Sequence, residues 1–316
     1  MNPPFHLSTN TSVATTTANG FGCTPLTSPA TGNIIWLASY PKSGNTWFRA
    51  FLANHLLESK IPVDINHLGG DPIASARVVF DEEAGVKASE LTAHEIERWR
   101  PRVYEQLSET ATSPRFMKVH DAYTYNVWGE PLMSKAATWG ALYFVRNPLD
   151  VVVSYAHHTT LTVERIIENM GDASANMLGN PNQLSTQLTQ RLLTWSGHVL
   201  SWVDEPGLRL HVMRYEDMKL RPFETFRDAI VFIELPDDAA RIERAIAHAS
   251  FEELQSQEAE SGFREKLPLA ESFFRKGEIG SWREVLSDAQ VERLIAEHGE
   301  VMQRFGYLTE AGEIVY

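Results

Sequence analysis

The apolar residues of this chain gather into short runs separated by polar loops. The clearest run is 34–39, IIWLAS, whose length suits a strand buried on both faces of a parallel sheet. Tyr40-Pro41 ends it, a small polar loop follows, and then Phe48, Phe51, Leu52 and Leu56 recur on one helical face. The pattern predicts strand, tight loop, helix. Three more strand candidates lie at 115–119, 141–145 and the alternating 208–214. Among the helical patterns, 92–107 opens on Thr92 with Glu95 three residues on, a capping box, and Pro101 predicts a kink. Asn147 is placed to cap a helix with Pro148 at its first position and Asp150 capping back. Further helices are expected over 189–203, over 222–248 as a pair broken at Leu235-Pro236-Asp237, and over 288–305. Glycines and prolines make 60–90 and 157–188 read as irregular, the second long enough for a lid or binding loop.

This order predicts an α/β fold: a single three-layer domain over 32–316, with a central parallel sheet flanked by helices. Residues 1–31, rich in Thr, Ser, Ala, Asn and Gly, read as a flexible N-terminal tail. In open α/β sheets ligands bind beyond the carboxyl ends of the strands, and each of the four candidates ends in a segment loaded with chemistry.

Composition narrows the function. The 43% hydrophobic content is ample for a core across 316 residues. A net charge of -13 argues against a nucleic-acid binder, so any phosphate site must be a local basic pocket. No apolar run approaches a membrane span, and the opening MNPPFHLSTN lacks the basic and apolar blocks of a secretory leader. The one cysteine, Cys23, allows no intrachain disulfide. A soluble cytoplasmic enzyme fits.

The chemistry starts at Lys42-Ser43-Gly44-Asn45-Thr46. Small residues before a helix let backbone amides converge on an anion, aided by the helix N-terminus. Lys42 adds charge and Thr46 a hydroxyl. The nucleotide-triphosphate loop GxxxxGK[ST] is not present, because lysine here precedes the only glycine. Lys118 and His120 alternate with Val119 and so share one side of an extended chain. A histidine beside a lysine stays neutral more readily and suits a general base. Arg146 lies on a loop and Ser154 further along the helix, so both could approach one phosphate. His157 and His158, being adjacent on a helix, point apart and are not read as a metal pair.

YPKSGNTW resembles the phosphosulfate-binding loop of the sulfotransferases, YPKSGTTW, with Asn45 for a threonine. Lys118-Val119-His120 resembles the family's catalytic KTH, and RNPLDVVVSY its RNPKDxxxSY. Tyr215-Glu216-Asp217-Met218, Ala249-Ser250-Phe251 (for TSF) and FFRKGEIGSW (for RKGxxGDW, with Ser281 for the aspartate) complete the likeness over about 34–300. The resemblance implies a cytosolic-type, P-loop-like enzyme that moves a sulfuryl group from 3′-phosphoadenosine-5′-phosphosulfate (PAPS) to a hydroxyl or amine of a small molecule, releasing adenosine 3′,5′-bisphosphate (PAP). It implies His120 as base, with Lys42, Lys118 and Ser154 also catalytic. The 5′-phosphate would sit on Ser43, Gly44, Asn45 and Thr46. Arg146, Ser154, Arg275, Lys276 and Gly277 would hold the 3′-phosphate, with Phe273 beside them, and Trp47, Tyr215, Ser250 and Phe251 would surround the adenine. Lysines supply the positive charge, so no metal is expected.

Tyr123, Tyr125 and Trp128 are candidates for an aromatic acceptor surface. The family's dimer motif would fall on Arg283, Ser287, Asp288 and Glu292, where an acid replaces valine, so a monomer or weak homodimer is expected. Two other functions compete: a kinase-like phosphotransferase, which needs the missing lysine placement, and a catalytically silent nucleotide-binding module, which would not need Lys42, Lys118 and His120 intact.

Overall fold

A computed structural model describes residues 31–178 and 184–316. The tail expected over 1–31 lies outside them but for its last residue, as do Gly179 and Pro181 of the irregular loop. The chain runs β1 (Ile34–Ser39), α1 (Asn45–Leu57), α2 (Arg77–Ala84), α3 (Ala93–Glu109), β2 (Arg115–Val119), β3 (Thr138–Val145), α4 (Pro148–Thr159), α5 (Val163–Gly171), β4 (Asn176–Met177), β5 (Gln190–Arg191), α6 (Trp195–Val203), β6 (Leu210–Arg214), α7 (Tyr215–Leu220), α8 (Pro222–Phe232), α9 (Ala239–His248), α10 (Phe251–Ser261) and α11 (Asp288–Arg304), with short 3-10 turns between.

The four strands found in the apolar runs form one parallel sheet, ordered β2-β1-β3-β6. Because successive side chains point to opposite faces, the sheet feeds two cores. Trp36, Ala38, Met117, Val119, Tyr143 and Val145 enter one, and Ile35, Leu37, Leu142, Phe144 and Met213 the other. Both faces are covered, which is the three-layer arrangement expected of a parallel sheet. The second core is aromatic: Phe226 of α8 stacks on Phe51 at 4.4 Å and stands 5.5 Å from Trp47 and 6.0 Å from Phe48. Phe226 is fully buried, so Phe226→Ala is expected to cost about 3–5 kcal/mol. Denaturant unfolding reads it; a loss under about 1 kcal/mol would mean the site collapses around the gap.

Several expectations need correction. Segment 60–90 contains α2, which buries only Phe80 and so gives a weak apolar stripe. In 157–188, α4 runs to Thr159 and α5 follows, capped by Thr162 and burying Ile166, Ile167 and Met170. The helix expected over 189–203 starts only at Trp195: Thr194 caps it, and Gln190–Arg191 pairs instead with Asn176–Met177. The Thr92–Glu95 capping box forms, and α3 continues through Pro101. No described helix is long and apolar enough to cross a membrane.

Candidate active site

Register sets the site. Ala38 pairs with Val119, Ser39 with Phe144, and Val145 with Arg214. The residues that follow these pairs, the 40–44 loop, His120, Arg146 and Tyr215, therefore leave the sheet along one edge. The loop turns sharply, with Lys42 at φ 68° and Gly44 at φ 101°. A non-glycine residue held there is strained, as happens at functional sites. Gly44 has a second reason to be glycine: a Cβ would stand 2.9 Å from the Tyr215 ring. Gly44 caps α1 without a side chain and the first turn holds no acid, so among the described residues no side chain caps the leading amides, which suit an anion. Ser43 Oγ is buried without a partner among the described residues.

The Asn45 side chain, which stands where the family loop has a threonine, is tied to the strand behind it. Its Nδ2 donates to Leu37 O at 2.7 Å and reaches Ser39 Oγ at 3.3 Å, pinning the loop to β1. Its Oδ1 is buried without a partner among the described residues. Thr46 is buried beside it.

The cations stand close together. Lys42 Nζ sits 3.8 Å over the Phe273 ring. Burial, then Arg146 and Lys118, bring its ammonium down to about 7. Lys118 Nζ donates to Glu265 Oε2 at 2.7 Å, and Arg49 Nη1 donates to Glu265 Oε1 at 2.5 Å. His120 is 8% exposed, and its Nδ1 lies 2.8 Å from Ser39 O. A carbonyl oxygen only accepts, so Nδ1 carries the proton and Nε2 is the basic nitrogen. Burial, and after it Lys118, lower this imidazole to about 3. The segment is held from behind: His198 Nε2 donates to His120 O at 3.0 Å, and Arg100 pairs with the buried Asp121 at 2.8 Å.

Arg146 stacks 4.1 Å over Tyr215 and donates to Glu278 O at 3.0 Å, while its buried Nε has no partner among the described residues. Tyr215 Oη donates to Gly277 O at 2.9 Å. Gly277, at φ 63°, must lack a side chain because a Cβ would meet Phe251 at 2.4 Å. Asp150 does not cap α4. It accepts from Gly280 N, Ser281 Oγ and Trp282 N at 2.8, 3.1 and 3.1 Å, tying this segment to α4. Ser154 lies on α4, half-buried. Lys276 is exposed and paired with Glu284 at 2.6 Å; Arg275 is half-buried, its carbonyl accepting from Gln255. Trp47, donating to Ala249 O at 2.8 Å, stands 5.8 Å from Tyr215, and Lys219 reaches both Trp47 and Phe251 at 5.6 Å. Ser250 Oγ caps α10 rather than facing this cleft. An open cleft of about 370 Å³ runs past Lys219, Gly277 and Glu278.

The aromatic acceptor candidates differ in their surroundings, Tyr123 and Tyr125 standing 6.0 Å apart. Tyr123 is core: it donates to Met133 O at 3.3 Å and packs on Trp202. Tyr125 donates to Glu205 at 2.6 Å, and Trp128 packs under Arg98. Sequence reasoning missed Glu265, Lys219 and Arg100, whose partners are remote in the chain. It also passed over His158 as a site residue, although that ring stands 5.5 Å edge-on to Phe273.

Uncapped amides, a serine hydroxyl and an arginine nitrogen without partners among the described residues, and a depressed lysine are what a nucleotide's phosphates would satisfy. The flavonol 3-sulfotransferase of Flaveria bidentis is 24% identical over 83% of this chain and 79% of its own. Cytosolic sulfotransferase 5 of Arabidopsis thaliana is 26% identical over 86% and 80%. In fold, the chain is similar to mouse sulfotransferase SULT7A1 complexed with PAP (TM-score 0.55, 19% identity, covering 89% and 87%). It is also similar to retinol dehydratase in complex with androsterone and PAP (0.57, 18%, 88% and 82%). The sulfotransferase domain matches residues 33–306, nearly all of the described chain, and the protein belongs to the sulfotransferase family.

Proposed function

We propose that this enzyme, a PAPS-dependent sulfotransferase, delivers the sulfuryl group to a hydroxyl or amine of a small-molecule acceptor by in-line transfer, with His120 as base. PAPS supplies the activated sulfuryl group and leaves as PAP. The chain binds, orients and neutralises. The amides of Ser43 to Thr46 hold the 5′-phosphate, Lys42 faces the oxygen where charge develops, and Lys118 faces the transferring group. Arg146, Ser154, Arg275, Lys276 and Gly277 hold the 3′-phosphate. Trp47, Tyr215 and Phe251 enclose the adenine, and Ser250 sets Phe251 by capping α10. In the same proposal the enzyme works without a metal as one domain over 32–316, in the cytoplasm, as a monomer or weak homodimer.

The observation that supports this most is His120 itself. Its Nδ1 is committed to Ser39 O, so its free lone pair is Nε2, at the same strand end as Lys118 and the Lys42 loop.

Calorimetry of PAP binding without magnesium, with ATP as control, tests the nucleotide class. PAP is expected to bind tightly and ATP weakly; preference for ATP would favour a phosphotransferase. Proton linkage gives a second readout. Lys42 is at about 7 in the free protein, and a bound anion raises it. Above that pH, binding therefore takes up a proton, and Kd rises by up to about tenfold per pH unit. Heats that do not depend on the buffer's ionisation enthalpy at pH 8 would remove Lys42 from contact with the phosphates.

A further inference from the structure

The segment after α10 lies across the site and brings one carboxylate to its cations. Glu265 bonds Lys118 at 2.7 Å and Arg49 at 2.5 Å, with 14%, 18% and 30% of the Lys118, Arg49 and Glu265 side chains exposed. The partners are 147 and 216 residues away in the chain, so this contact exists only when the segment is folded over the sheet edge. The segment is anchored independently, by Glu258 accepting from Phe273 N at 2.6 Å and Phe274 N at 2.9 Å.

We propose that Glu265 is a positioning residue for the transfer centre: from the covering segment it fixes the Lys118 ammonium, with Arg49 as the second anchor of the same carboxylate. This rests on Lys118 acting in the transfer. Two features separate it from a plug that fills the donor's place. Glu265 makes no bond to Lys42, whose Nζ packs on Phe273 instead. Ser43 Oγ and Arg146 Nε keep no partner among the described residues while Glu265 is in place. The carboxylate thus stands beside the phosphate cradle and not in it. Its charge offsets the cations gathered here: Lys118 and Arg49 share it, Lys42 stands across the centre, and the imidazoles of His120 on the same strand end and of His158 are held neutral by burial and by these lysines. Burial lowers Lys118, and Glu265 is the first group opposing that. Removing the carboxylate leaves Lys118 mobile and easier to deprotonate.

The test uses Glu265→Gln and Glu265→Asp in the full chain, with PAPS as donor and a panel of simple phenols and alcohols as acceptors. For Glu265→Gln, kcat is expected to fall about ten- to hundredfold. The donor KM and the PAP Kd should stay within about threefold. The alkaline limb of kcat should move to lower pH, and Glu265→Asp should restore most of the rate. A PAP affinity raised about tenfold with kcat kept would make Glu265 a competing plug and overturn the proposal. An unmoved kcat and pH limb, with active wild type, would overturn it alone by leaving Glu265 only a structural ion pair. A wild type with neither PAP binding nor turnover would overturn the functional proposal and this one together.

Discussion

His120→Ala is expected to lower turnover by about 10²–10⁴-fold, with PAP binding kept within a small factor. The size follows from the loss of the one neutral imidazole at the strand end. Two features of the fold prepare it. Ser39 O takes the Nδ1 proton and so dictates the tautomer, and the His198 bond to His120 O fixes the backbone from which the ring projects. The pH sign follows from burial and Lys118, which lower the group to about 3. The neutral form is the working base, so it persists above that value, and kcat/KM should show no His120 limb between about pH 5 and 7. An anion brought close raises an imidazole's basicity, so the low value belongs to the free protein. His120→Asn, which can still donate to Ser39 O, separates proton transfer from local structure. If either variant turned over normally with saturating acceptor, the base would have to be sought elsewhere, His158, whose ring stands 5.5 Å from Phe273, being one candidate.

The sequence carried the sheet and its loaded edge because both are local. A short apolar run bounded by Tyr40-Pro41 is a strand whatever surrounds it, and the four runs became β1, β2, β3 and β6. The edge followed, since a parallel sheet aligns the residues that leave its strands. What local pattern could not carry was the partner of each side chain. Asn45 looked like a phosphate ligand by its place in the loop, yet its Nδ2 is committed to Leu37 O and Ser39 Oγ, strand groups that the loop pattern does not reveal. Asp150 looked like a helix cap, but the loop at 280–282 offers it three donors. Glu265 gave no signal at all, because its meaning depends on a segment folding back over residues far earlier in the chain. The burial of Tyr123 was not legible for the opposite reason: an aromatic near a strand end is as ready to fill a core as to line a pocket. The segment 157–188 hid α5 because Gly171 drew attention from Ile166, Ile167 and Met170, which carry its apolar face.

Lys42→Ala is expected to slow turnover by about 10²–10³-fold, the cost of removing one preorganised charge aimed at a developing oxyanion. The backbone argues that the position is held for the side chain. Lys42 sits at φ 68°, a conformation that costs any residue with a Cβ, and alanine gains nothing there that lysine lacks. Relief of strain therefore cannot offset the loss, and any fall in rate belongs to the ammonium. The ammonium is also the group that burial, Arg146 and Lys118 drive toward neutrality. An anion restores its charge, so proton uptake on PAP binding and catalysis depend on the same nitrogen. Lys42→Ala should abolish that uptake at pH 8 together with the rate, while PAP still binds through the loop amides and Arg146. Lys42→Arg, which stays charged at every working pH, should bind PAP without taking up a proton and recover only part of the rate. If Lys42→Ala kept a normal kcat but lost PAP affinity, the lysine would be a nucleotide anchor and the charge that stabilises transfer would fall to Lys118, held by Glu265.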